Sequence, residues 1–306
     1  MGPLRAGLDA WIAEEDWENA AISAGNLSEL TLTLGDVAGA LEAAEESVEL
    51  ADRSGDAFQR MARRTTLADA LHHAGRWGEA ETLFREAEAM QAERQSRYPR
   101  LYSVQGYQYC DLLLSRGEPE DGEGLEGVGE GYRAACEEIR DRAEMTLVWA
   151  EEAEASVLTI ALDYLSLGRA HLGLALTAPG EAPDFHAASE PLDRAVDGLR
   201  EAGQEDELPR GLLARAALRR LSGDPDGAAA DLREAQEIAE RGSMRLFEAD
   251  AHLEWTRLHL GLGTGAGDRD AAREHLHRAR ELVRECGYGR REREVAWLEG
   301  RLAEGS

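Results

Sequence analysis

Lysine is absent from all 306 residues, so each of the 34 basic side chains is an arginine. Without lysine the chain has neither the phosphate-gripping lysine of a P-loop nor a Schiff-base nucleophile, so it cannot hydrolyse ATP by itself. No cofactor is expected. Cysteine is scarce too: Cys110, Cys136 and Cys286 form no close pair, which excludes a disulfide framework and a thiolate zinc site. Long apolar runs are missing. The most apolar stretch, 155–167, is interrupted by Asp163 and is too short to span a bilayer, and the first residues lack the apolar core of a signal peptide. The expectation is a soluble, cytoplasmic chain.

Positive charge is outweighed. Against 34 arginines stand 61 aspartates and glutamates, a formal net charge of −27, with a pI near 4.7. Such a surface repels phosphate backbones and anionic lipid heads, so neither a nucleic-acid nor a membrane partner is expected. At 43% hydrophobic residues the chain is too apolar for an acidic disordered tail and reads as folded.

What the sequence does contain is a recurring phrase. A large residue is followed eight positions later by Gly, often with Asp or Arg next. A helix then carries a small residue, a large one four on, and a small one three beyond. Leu27 leads to Gly35-Asp36 and Ala40, Ala44, Ser47; Leu67 leads to Gly75-Arg76 and Ala80, Phe84, Ala87. Tyr109 and Gly117 open a third copy that blurs into the Gly/Glu-rich stretch 118–131. A fourth has Gly168, then Ala188, Leu192 and Ala195. A fifth has Gly223-Asp224, then Ala228, Leu232 and Ala235. A sixth has Leu253 and Gly261, then Ala272, Leu276 and Ala279. Small residues flanking a large one let two helices approach closely, and Gly-Asp ends one helix and starts the next. Each helix hairpin leaves an apolar face that the next hairpin covers.

This phrase resembles the tetratricopeptide repeat (TPR), over about residues 20–283. The spacing between copies, however, exceeds the roughly 34 residues of the ordinary repeat. Arg215 departs from the pattern, standing where a large apolar residue is usual. The resemblance implies an all-α fold: about fourteen antiparallel helices, stacked as a right-handed superhelix in a single domain over 1–306. About six helix pairs are expected. Residues 1–16 form a half-repeat helix without an upstream partner, 118–131 an irregular acidic insertion, and 289–306 a capping helix with Val295, Leu298 and Leu302 on one side. Further phrases, among them 15–21, 98–103, 106–111, 208–215 and 237–242, resemble the C-terminal TPR arrays of bacterial STAND-type ATPases, including NACHT-like proteins. There the array is a sensor or regulatory arm behind a nucleotide switch. The implied partner is a protein or peptide, such as a STAND-type ATPase domain or its trigger.

In a TPR the first helix of each pair lines the concave groove. Carrying that position along the copies gives Asp69, His72 and His73, then Tyr107 and Asp111, then Arg169, Arg220, Trp255 and His259. A groove bearing both signs suits a peptide or protein segment. Each position also has a plainer reading as a solvated helix face, and the tyrosines of 98–109 as core filling, with Tyr102 and Tyr109 between helices. No metal site is expected: His72 and His73 are adjacent and diverge around the helix, as do His275 and His277, and His252 and His259 lie two turns apart. No nucleophile–base constellation stands out, so the chain is expected not to be an enzyme. A receptor holding a small peptide or small molecule in the TPR groove is the alternative, and an enzyme hidden in the loops a third.

Overall fold

The computed structural model describes residues 2–117, 129–178, 183–262 and 267–304. It is all-helical among these residues, with fourteen α-helices in sequence: α1 (Gly2–Ala13), α2 (Trp17–Thr33), α3 (Val37–Ser54), α4 (Ala57–His73), α5 (Trp77–Arg94), α6 (Ser103–Gly117), α7 (Glu130–Glu152), α8 (Val157–Leu176), α9 (His186–Ala202), α10 (Leu208–Leu221), α11 (Pro225–Gly242), α12 (Arg245–His259), α13 (Arg269–Cys286) and α14 (Glu292–Ala303). A single 3-10 turn, Gly289–Arg291, precedes α14. The helices pack in sequential adjacent pairs, the arrangement of an α-solenoid. Most of the acidic insertion expected at 118–131 lies outside the described residues, but Glu130 and Gly131 already belong to α7.

The second-helix positions of the repeat phrase are the core of these pairs. In the five copies with a legible second helix, all fifteen are at most 4% exposed, from Ala40, Ala44 and Ser47 to Ala272, Leu276 and Ala279. Gly168 shows why the small residues matter. A Cβ there would come within 2.6 Å of the Leu192 side chain, so α8 meets α9 nearly backbone to side chain. Adding a methyl group to such a contact forces off-rotamer packing. The turns follow their local chemistry. The Asp36 carboxylate accepts from the Gly39 N–H at 2.9 Å, and Asp224 does the same for Gly227 at 2.9 Å, each filling an orphan donor at a helix start.

The chain divides into two compact units. The first comprises Met1–Leu112 together with Cys286–Arg290; the second comprises Leu113–Glu285 and Arg291–Ser306. In the first, α1 has its partner downstream. Leu8, fully buried, joins Ala20, Ala21 and Ala24 of α2 and Leu50 and Ala51 of α3 in one cluster. In the second, Val295, Leu298 and Leu302 of α14 are buried.

Arginine does inside this fold what lysine could not. Its planar guanidinium meets carboxylates with two parallel bonds and is less costly to dehydrate than an ammonium. In the first unit, Arg64 of α4 bonds both Asp52 oxygens, at 2.9 and 3.0 Å, and Glu86 of α5 at 2.8 Å. In the second, Arg215 bonds both Asp231 oxygens at 3.0 and 2.8 Å and reaches Asp193 at 3.2 Å. The apolar position that Arg215 vacates in the repeat phrase thus becomes an ion-pair node joining α9, α10 and α11.

Candidate functional site

Within the first unit, one face gathers five of the nine groove residues expected from the sequence. Asp69, His72 and His73 close α4, and Tyr107 and Asp111 lie on α6. Rather than lining an open channel, His72, Tyr107 and Asp111 are buried, His72 completely. What covers Asp111 is the chain itself: segment 286–290 belongs to this unit, and Arg290 meets the carboxylate with both terminal nitrogens. Nη1 donates to Oδ2 at 2.5 Å and Nη2 to Oδ1 at 3.0 Å. The two side chains are 6% and 10% exposed, so the pair is dry, and its attraction is little screened by solvent.

Two other contacts seat the segment. Tyr288 is buried and its ring stacks on His73, centroids 5.6 Å apart and planes 16° from parallel. Between the two anchors, Gly289 lies against the turn that ends α4. A Cβ on Gly289 would fall on the Ala74 carbonyl, and one on Gly75 would come within 3.0 Å of the Gly289 carbonyl carbon. Gly75 also holds φ +77°, the left-handed conformation that glycine adopts without strain. The turn glycine of the second repeat copy therefore reverses the chain and admits a second backbone to its surface.

The rest of this face orders the anchors. The His73 Nδ1 donates to the Asp69 carbonyl at 2.8 Å, which fixes its tautomer and the plane on which Tyr288 lies. His72 Nδ1 is 3.8 Å from Asp111 Oδ2. Tyr109 stacks on Phe84 of α5 at 5.0 Å, so it is a core residue, and the Tyr102 hydroxyl donates to Gln95 at 3.3 Å.

Asp69, His72 and His73 each bring one ligand atom within 4.8 Å of the others. Neighbouring histidines thus converge more than their separation around a helix suggests, because the long rings lean together, with centroids 5.7 Å apart. Two features work against a cation there. His73 Nδ1 is already bonded to backbone, and Asp111, 3.8 Å from His72 Nδ1, already carries the Arg290 guanidinium.

The remaining four expected residues belong to the second unit. Arg169 is partly exposed on α8. Arg220 is fully buried, and its Nε donates to Glu254 Oε1 at 2.6 Å and its Nη1 to the Leu262 carbonyl at 2.7 Å. It starts a ladder of alternating charge: Glu254 lies 3.7 Å from Arg257, Arg257 pairs with Glu294, Glu294 with Arg291 at 2.9 Å, and Arg291 with Asp250 at 2.7 Å. Arg220 is therefore a tie between α10 and α12 and not a groove side chain. Trp255 and His259 stack on each other at 5.5 Å, and His275 of α13 stacks on both. The Trp255 N–H donates to Gln236 of α11 at 3.1 Å. His252 and His275 share a hydrogen bond between Nδ1 atoms at 2.8 Å, so one ring donates and the other accepts. Burial pushes both down to about 4, and each would be further opposed by a neighbouring histidine's charge.

Sequence reasoning missed Tyr288, Arg290 and Glu254. For the first two a signal existed: Gly287-Tyr288-Gly289-Arg290 breaks the helical pattern with two glycines around a large aromatic, unlike any repeat turn. Comparison with known protein families and with curated proteins finds no match.

Proposed function

We propose that this protein is a non-catalytic binding module of the TPR kind that recognises a protein or peptide segment. In this reading it is a cytoplasmic sensor or regulatory arm in bacterial signal transduction, its partner a STAND-type ATPase domain or the trigger of one. The observation that carries the reading is the seating of a tight turn of the chain, Gly287 to Arg290, on the α4–α6 face. That face supplies what a peptide site needs: a buried carboxylate for a guanidinium, an aromatic platform, and a glycine turn open to a second backbone.

Stacked helix pairs fit a regulatory role because each contacts mainly its neighbours, so small shifts at successive interfaces add. The small-molecule alternative has less behind it. Among the described residues, two concavities, at α1–α3 (about 580 Å³) and at α9–α11 (about 450 Å³), are open to solvent and bordered by partly exposed Arg–Glu pairs such as Arg5–Glu46 and Arg200–Glu234, unlike the enclosed pockets that hold a small ligand.

The test is a peptide array probed with the full chain and with its Asp111→Asn variant. Binding to a defined peptide set that fades in the variant supports the module. An array that captures nothing, or that captures the same peptides equally with both proteins, contradicts this placement of the site.

A further inference from the structure

We propose that residues 287–290 are a resident occupant of the peptide site on α4 and α6, and that the partner is a segment that presents the same chemistry from a tight turn: an aromatic residue, a glycine, then an arginine. The proposal rests on the binding-module reading above and adds the ligand class and the regulation.

Three independent features define the chemistry. The Asp111 carboxylate, 10% exposed, accepts two bonds from one guanidinium. That geometry suits arginine, since an ammonium presents a point charge and not a planar fork. The His73 ring offers a flat face to Tyr288, and the Asp69 carbonyl holds that ring in place. Between these anchors the Gly289 backbone lies so close to Ala74 and Gly75 that a side chain at Gly289 would collide with the Ala74 carbonyl. A segment seated here therefore carries glycine between its aromatic and its arginine. The charge of the chain agrees, because a net −27 favours a cationic segment in the encounter.

Because the resident segment is part of the chain, it competes as an intramolecular ligand. Tethered ligands act at effective concentrations on the order of millimolar. A free segment with an intrinsic Kd on the order of 10 μM would then appear roughly 100-fold weaker against the wild-type chain. The site is thus held shut against weak or dilute ligands and yields to a partner that is abundant or makes further contacts.

The experiment uses the full chain and a fluorescein-labelled peptide with the sequence of residues 287–292, followed by fluorescence anisotropy. Two opened variants are compared with wild type: Tyr288→Ser with Arg290→Ser, which removes both anchors, and Gly289→Ala alone, which leaves both anchors and pushes the backbone off the α4 turn. Circular dichroism melts establish that each is folded. The expected result is peptide binding by the opened chains, roughly 100-fold weaker binding by wild type, and a loss of at least about 30-fold when Asp111→Asn is added to an opened chain. The same peptide with alanine at the place of Gly289 should not bind.

A folded opened chain that ignores the peptide overturns the proposal, as does one that binds it equally well after Asp111→Asn is added. Should both variants fail to fold, the segment is a structural strut and the proposal falls. An opened chain that ignores this peptide yet captures others in an Asp111-dependent way overturns the ligand class while leaving the module reading in place.

Discussion

Replacing Arg220 with methionine removes the only fully buried guanidinium among the described residues and keeps most of the side-chain volume. Arg220 donates to Glu254 at 2.6 Å and to the Leu262 carbonyl at 2.7 Å. Breaking a buried ion pair from one side costs about 3–5 kcal/mol, since the other charge stays dry. Here Arg257 remains 3.7 Å from Glu254, which places the loss near about 3 kcal/mol. The Leu262 carbonyl, left without this donor, adds about 1 kcal/mol. A single Arg220→Met substitution should therefore cost about 4 kcal/mol.

Pairing it with Glu254→Gln removes both charges and leaves Arg257 with Glu294, so the double variant should recover about 2 kcal/mol of that loss. The assay is urea unfolding of the full chain by far-ultraviolet circular dichroism for wild type, the two single variants and the double. A single-variant cost below about 1 kcal/mol, or a double variant no better than Arg220→Met, would refute the claim that Arg220 acts as an interior tie.

Two further predictions concern pH. Asp163 of α8, 5% exposed, accepts from the Thr146 hydroxyl at 2.9 Å, and burial pushes its carboxyl from 3.8 up to about 7. The folded state therefore holds this proton more tightly than the unfolded one. The resulting penalty is absent below pH 3.8, grows up to about pH 7 and is constant above. Asp163→Asn should match wild type near pH 4 and exceed it by up to about 4 kcal/mol at about pH 8, measured by urea unfolding at both; an equal difference at the two pH values would contradict this. His252 and His275 have the opposite sign. Their folded values, lowered to about 4, make their contribution complete above 6.5 and progressively lost as the pH falls towards 4. His275→Gln should lose less stability than wild type between about pH 7 and 4.5, and parallel losses would show that the pair does not titrate as described.

Much of the fold was legible because the repeat phrase encodes contacts between consecutive helices. Ala80, Phe84 and Ala87 read as a packing face at helical spacing and are fully buried; Asp36 and Asp224 after a turn glycine read as helix starts and cap their helices. The candidate site was legible only in part. Asp69, His72, His73, Tyr107 and Asp111 were reached by transferring a groove position from copy to copy, and they do share one face of the first unit. What lies against that face comes from residues 286–290, 179 positions beyond Asp111 in the case of Arg290, outside the phrase and unmarked by any periodicity. Charge was harder still. A helical pattern places Arg220 and Arg169 alike, and only the distant partner Glu254 makes one an interior tie while the other stays partly exposed.

The most direct measurement is hydrogen exchange, followed by mass spectrometry, on wild type and Asp111→Asn. If the α4–α6 face holds 287–290 as a separable occupant, amides of 287–290 should lose protection in the variant. Those of α2, α3 and α5, which do not contribute to this face, should keep theirs. Unchanged exchange at 287–290, or loss of protection throughout the first unit, would contradict the account.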